Sequence, residues 1–302
     1  MDYIEGIQKL KKEKGALILA HYYQNEEIKA LADYIGDSYY LSKIAKESLS
    51  EFIVFCGVNF MAESAKILSP NKRVFIPVKD AGCIMADMVN STDLLELKSK
   101  YDDVAIVTYI NSSTEVKAIS DVIVTSSNAQ KIVSKIKNKN IIFAPDRNLG
   151  SYIGEQIEDK NMILWQGFCP IHESVAIEEV IKFREKYSNS IVLTHPECQK
   201  EIRDISTYVG STSGILAEAN KYTNKDILIV TEEGMISDLK NDNPNNNRYH
   251  TFTDRMICCN MKKIKVEDLY LALLEEKEEI FIENDLIRKA SVALNKMHEL
   301  AN

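Results

Sequence analysis

The sequence predicts an α/β protein with parallel sheets, assembled from three repeated units. Two observations carry that prediction. Short apolar runs of strand length alternate with helical stretches along the chain, as parallel sheets with helix-covered faces require. The runs also recur at a spacing of roughly 86 residues, the mark of an internal repeat.

Taken in order, the first strands of the units are residues 17–21, 104–109 and 191–195, each rich in Ile, Val and Leu. The second strands read as 52–56, 122–126 and 208–211, and the third as 74–76, 141–144 and 227–230. Between its first two strands the first unit is longer by about 20 residues, and the surplus, holding Gly36, Asp37 and Ser38, reads as an inserted helix. Helical patterns at 129–136 and 215–222 follow Ser126, Ser127, Asn128 and Ser211, Thr212, Ser213. Those short polar side chains suit N-caps. The Asn-rich stretch 241–247 reads as an exposed loop.

The 302 residues, 45% apolar and 27% charged, are those of a folded globular protein and exclude disorder as the main state. A net charge of -8 disfavours nucleic acid or an anionic membrane as the principal partner. The charged N-terminus and the short apolar runs give no signal peptide or membrane span, and the expected compartment is the cytoplasm. Six cysteines at this length point in a reducing compartment to buried thiols, metal or catalysis rather than disulfides.

The chemistry collects at the strand ends. Each first strand closes on a pair separated by two: His21 and Tyr23, Tyr109 and Asn111, His195 and Glu197. Side chains at i and i+2 share a face of a strand, and ligands of open parallel sheets bind beyond the carboxyl ends. Singly, each His or Tyr reads equally well as a strand-end or core residue; six converging polar side chains read as a site. Ser38, Ser126, Ser211 and Thr212 open helices at the same ends, where they cap backbone amides and offer a positive dipole to a carboxylate or phosphate. Each unit also carries a cysteine beyond its third strand: Cys83, Cys169, and Cys258 or its neighbour Cys259. No Cys-x-x-Cys or His-x-x-x-His spacing supports structural zinc. Three thiolates from distant segments suit a four-iron four-sulfur cluster with one iron free for substrate, and six buried structural cysteines are the alternative. Cys56 and Cys198 read as packing.

With these residues in place, the chain resembles the quinolinate synthase family. The resemblance rests on His21-Tyr22-Tyr23-Gln24, Gly36-Asp37-Ser38, Gly57-Val58-Asn59-Phe60-Met61-Ala62-Glu63, Tyr109-Ile110-Asn111-Ser112-Ser113, Pro145-Asp146-Arg147-Asn148-Leu149-Gly150, His195-Pro196-Glu197-Cys198, Val209-Gly210-Ser211-Thr212 and Asn260-Met261-Lys262. It implies three similar three-layer α/β/α domains around a pseudo-threefold axis, expected at 1–84 plus 262–302, 85–171 and 172–261, with the active site at their junction. It implies a [4Fe-4S] cluster on Cys83, Cys169 and Cys258, the last because the family cysteine stands two positions before Asn260. The implied reaction condenses iminoaspartate with dihydroxyacetone phosphate to quinolinate, with loss of phosphate and two waters. Ser38, Tyr109, Asn111, Ser126, Ser211 and Thr212 would hold substrate, while His21, Tyr23, His195 and Glu197 would move protons. The enzyme supplying iminoaspartate is an implied functional partner. Two other readings remain open at this point: an iron-sulfur sensor or electron carrier, and a cluster-free sugar or phosphate binding protein.

Overall fold

The computed structural model describes residues 3–241, 244–252 and 254–301. Its first sheet contains β1 (Ala16–His21), β2 (Tyr34–Gly36), β3 (Phe52–Cys56) and β4 (Arg73–Phe75), in the order β2-β1-β3-β4. The second contains β5 (Val104–Tyr109), β6 (Val122–Val124), β7 (Asn140–Ala144) and β8 (Asn161–Leu164), in the order β6-β5-β7-β8. In the third, β9 (Ile191–Thr194), β10 (Tyr208–Val209), β11 (Asp226–Val230) and β12 (Arg248–His250) run β10-β9-β11-β12. Every pairing within these sheets is parallel.

The register proves the repeat. Leu19 pairs with Tyr34, Val107 with Val122 and Leu193 with Tyr208, each 15 residues apart. Ala16 pairs with Phe52, Val104 with Asn140 and Ile191 with Ile227, each 36 residues apart. A small device recurs with it: Asp33, Asp121 and Thr207, just before the second strands, accept from the amides of Ile18, Ile106 and Val192.

That register corrects the strand alignment read from sequence. The counterpart of β6 and β10 is the three-residue β2, and residues 52–56 correspond to β7 and β11. Residues 74–76 fall in or beside β4, the edge strand that corresponds to β8 and β12. The first unit therefore has no inserted helix. Gly36, Asp37 and Ser38 end β2 and open the helix Ser38–Glu47, which Asp37 caps by accepting from the Tyr40 amide.

Strand alternation gives each sheet two covered faces. In the first, Leu17, Leu19, Ile53 and Phe55 point into one apolar cluster, while Ile18, Ala20, Val54 and Cys56 point into another. Leu193, Ile227 and Ile229 of the third sheet likewise separate from Val192, Leu228 and Val230. The first two units share a core, into which the C-terminal helix Asn284–Ala301 inserts Ala290, Ala293, Leu294 and Met297. This helix packs mainly on the helix Thr114–Ile119 and β6, and also on the helix Asn59–Leu68. Of the expected exposed loop at 241–247, residues 242 and 243 lie outside the described part. Asn247 is buried, accepting from the Lys225 amide and donating to the Tyr222 carbonyl. Among the described residues, no helix is long and apolar enough to cross a membrane.

Candidate active site

The carboxyl ends of β1, β5 and β9 open onto one cavity, as strand polarity dictates for parallel sheets. His21 and Tyr23, Tyr109 and Asn111, and His195 and Glu197 all line it. So do Ser38, Ser126, Thr212, Cys83, Cys169 and Cys258. Through the register, Ser38, Ser126 and Thr212 hold matching places beyond the second strands. Ser211 is set apart from the lining: it matches Asp37 and caps the helix Thr212–Ala219 by accepting from the Gly214 amide.

Glu197 is the electrostatic centre. Its side chain is buried, its Oε1 accepts from the Tyr109 hydroxyl at 2.7 Å, and its Oε2 lies 2.9 Å from His172 Nδ1. That imidazole approach is out of line, so His172 Nδ1 has no well-directed hydrogen bond. Burial opposes the Glu197 charge, but His195, His172 and the Tyr109 hydroxyl outweigh it and hold the carboxyl below its usual range. Burial also lowers His195 to about 4 and, with His195 repelling, His21 to about 3. Both of these rings are therefore neutral near pH 7, where the well-directed donor to the Glu197 carboxylate is the Tyr109 hydroxyl.

The two imidazoles are held alike. His21 Nδ1 accepts from the Tyr23 amide at 3.2 Å and His195 Nδ1 from the Glu197 amide at 3.4 Å. This places the ring proton on Nε2 in each, by the rule that one nitrogen of a neutral imidazole accepts while the other donates. Burial and the nearby Glu197 charge raise the Tyr23 and Tyr109 hydroxyls far above their usual range, so both remain proton donors.

Several residues near the site have no assigned role in the sequence prediction. His172 Nε2 lies 2.9 Å from Thr231 Oγ1, which in turn lies 2.8 Å from the Tyr23 hydroxyl. Glu232 accepts from the amides of Gly234 and Cys258 and pairs with Lys262 at 3.3 Å; burial lifts its carboxyl to about 6. Asp146, wholly buried, caps Leu149 and has its carboxyl raised by burial and by Glu197. A Cys-Pro-x-His spacing and the matching acids after β7 and β11 were the available signals for His172, Asp146 and Glu232.

The comparisons agree along the whole chain. A family model described as quinolinate synthetase A protein matches residues 5–299. The chain belongs to the quinolinate synthase family. It is 53% identical over 300 residues to the quinolinate synthase of Clostridioides difficile (strain 630), covering 99% of this chain and 98% of the relative. To that of Clostridium perfringens (strain SM101 / Type A) it is 52% identical over 300 residues, with 99% of each chain covered. The Caldicellulosiruptor bescii quinolinate synthase is 49% identical over 294 residues, 97% of either chain.

For a quinolinate synthase chain, the donor set can be tested against an iron-sulfur cluster. Cys83, Cys169 and Cys258 are free and line the cavity; Cys169 is the N-cap of a short helix, and Cys83 and Cys258 each lie two residues before the N-cap of one. The sulfurs receive backbone N–H groups from the following residues: Ala86 and Met85 for Cys83, His172 for Cys169, and Met261 and Asn260 for Cys258. Burial, helped by nearby negative charges, lifts the thiols, to about 12 for Cys83 and about 11 for Cys258. A soft cationic group reverses that preference, and N–H donors to sulfur then support the thiolates. Cys83, Cys169 and Cys258, one from each unit and each with such donors, fit a three-thiolate cluster, and the exposed Cys259 borders the same cavity. Beside it, donor atoms of Cys169, His172 and Glu197 lie within 4.8 Å of one another, a grouping absent from the sequence reading.

Proposed function

We propose that the chain makes quinolinate by condensing iminoaspartate with dihydroxyacetone phosphate, releasing phosphate and two waters. The observation that carries this reading is the meeting of three thiols, one from each repeat unit, with the Glu197, Tyr109 and His195 cluster on one cavity. An electron carrier or cluster sensor has no use for so many acid-base groups at the metal. The reaction involves no net redox change; it needs carbon-carbon bond formation, tautomerisation and dehydration, each served by an acid and a base.

Glu197 is ionised and buried, which makes it the base for abstracting a proton from carbon. Tyr23 and Tyr109 keep their protons and serve as acids or as donors to developing oxyanions. His21 and His195, neutral with Nε2–H, donate to a carbonyl or phosphate oxygen. Asn111, through its amide N–H, joins Ser38, Ser126 and Thr212 in fixing the substrate's carboxylates and phosphate, while its buried Oδ1, without a partner among the described residues, is free to accept from a substrate N–H or O–H. Ser211 supports that set by holding its helix. Bound to Cys83, Cys169 and Cys258, a four-iron four-sulfur cluster would supply an open Lewis-acidic iron for a hydroxyl or carboxylate oxygen.

Six unpaired thiols suit the reducing cytoplasm. Because iminoaspartate hydrolyses readily, the enzyme that supplies it is the expected functional neighbour. The test is quinolinate formation by protein isolated without oxygen, given dihydroxyacetone phosphate and freshly generated iminoaspartate. Iron-loaded protein that forms no quinolinate would overturn the reading.

A further inference from the structure

Each unit buries one cation at the same place in the repeat. In the register of the first strands, Lys29, Lys117 and Arg203 are equivalent, each ten positions after Leu19, Val107 or Leu193. All three are buried, a state that Lys and Arg rarely occupy without partners. The ends of β3, β7 and β11 make Phe60, Asn148 and Gly234 equivalent in the same way. The two sets meet across the seams between units. Lys29 Nζ donates to the Gly234 carbonyl at 2.8 Å, Arg203 Nη1 donates to the Asn148 carbonyl at 3.0 Å, and Lys117 Nζ lies 5.5 Å from the centre of the Phe60 ring. These contacts run from the first unit to the third, from the third to the second and from the second to the first.

Arg203 does more than join two units. Its Nη1 also donates at 3.0 Å to the carbonyl of Cys198, the residue after Glu197. Asn148 Nδ2 donates to the carbonyl of Glu197 itself at 3.0 Å and to Glu173 Oε2 at 2.8 Å. Both partners are pure acceptors, which fixes the orientation of that amide. The far side of the guanidinium is held by Glu155 at 2.9 Å and lies 5.6 Å from the centre of the Tyr152 ring. Two successive carbonyls of the Glu197 loop are thus referred to Asn148 of the second unit. The same unit supplies the Tyr109 hydroxyl that meets Glu197 Oε1 at 2.7 Å. Lys29 differs, since Gly234, Ser237 and Asp238, which it holds, all belong to the third unit.

We propose that Arg203 is a positioning residue for Glu197: by bridging the Asn148 and Cys198 carbonyls it fixes the Glu197 backbone against the second unit and keeps the carboxylate on the Tyr109 hydroxyl. Neither Arg203 nor Asn148 lines the cavity, so both act through the backbone. The catalytic consequence deepens the function proposed above and rests on it, whereas the link to Tyr109 is independent of turnover.

Kinetics and urea unfolding of the cluster-loaded protein test it. Arg203→Met should lower kcat about tenfold to a hundredfold with KM nearly unchanged, as a misplaced base does. Arg203→Lys, which puts here the residue type that the other two units use, should stay within about threefold of wild type. In the Glu197→Gln background Arg203→Met should add nothing further. Lys29→Met, which cuts a seam but no tie to Glu197, should lose stability with kcat within about threefold of wild type. Full kcat of Arg203→Met, losses that multiply with Glu197→Gln, or an equal fall in Lys29→Met would overturn the proposal. In urea at pH 7, the midpoint shift caused by Tyr109→Phe should shrink to about half or less in the Arg203→Met background, because the pair is no longer held together; an undiminished shift would contradict the link. Should Arg203→Met fail to fold or to keep its iron, Asn148→Ala takes its place in both assays with the same deciding outcomes, since it frees the Glu197 carbonyl and leaves Arg203 its backbone partners. A wild type that makes no quinolinate would overturn the functional reading instead and leave the urea cycle to decide the link to Tyr109.

Discussion

Replacing Tyr109 with Phe removes one hydroxyl and leaves the ring in place. That hydroxyl donates to Glu197 Oε1 at 2.7 Å, with Tyr109 5% and Glu197 4% exposed, so water cannot substitute for it. A hydrogen bond to a buried charge is worth about 1.5–3 kcal/mol, so the proton affinity of Glu197 should rise about 10- to 150-fold. The sign follows from linkage. The folded carboxyl lies below its unfolded value, so its contribution to stability is present above the unfolded pKa and is lost as pH falls through the folded one. Urea unfolding should therefore show Tyr109→Phe destabilised at pH 7, with the gap to wild type closing below about pH 4. In the pH profile of kcat/KM for quinolinate formation, the acid limb should move upward. An unchanged urea midpoint at pH 7 together with an unmoved acid limb would refute the claim that this hydroxyl sustains the Glu197 charge.

Three further outcomes are expected. Glu197→Gln should keep its iron and bind substrate while losing turnover by about a hundredfold or more, as removal of a general base does; normal turnover would exclude Glu197 from that role. Lys29 reaches from the first unit to Asp238 at 2.6 Å and to Ser237 and the Gly234 carbonyl in the third. Lys29→Met, which strands a partly buried carboxylate, should destabilise the fold by about 2–4 kcal/mol in urea titration, and an unchanged midpoint would show that the contact contributes nothing. Lys117 is wholly buried against Phe60, and burial lowers its ammonium to about 8 despite Glu63 nearby. The unfolded chain binds this proton more tightly, so from about pH 8 to 10 wild type should gain stability relative to Lys117→Met; parallel curves would contradict the shift.

Part of this protein is legible in its sequence, for physical reasons. The central strands are buried on both faces and so appear as unbroken apolar runs, as in β1 and β3. The outer strands are short and half-exposed: Arg248–His250 is polar, and Asn161–Leu164 contributes only three apolar residues. Tyr34–Gly36 is three residues long and merges with the helix that follows, which displaced the strand alignment in the first unit. The paired residues at the ends of the first strands were visible because the repeat shows them three times. His172 and Thr231 were not, because they are 59 residues apart and their contact exists only once the third sheet folds beside the loop that carries Cys169.

Iron and acid-labile sulfide per chain, measured on protein isolated without oxygen, test the central claim most directly. Wild type should contain about four of each, and Cys83→Ala, Cys169→Ala and Cys258→Ala should each lose them, while Cys259→Ser keeps them. An iron-free wild type that reconstitution cannot load, or a Cys258→Ala variant that keeps its cluster, would contradict the assignment of one thiolate from each repeat.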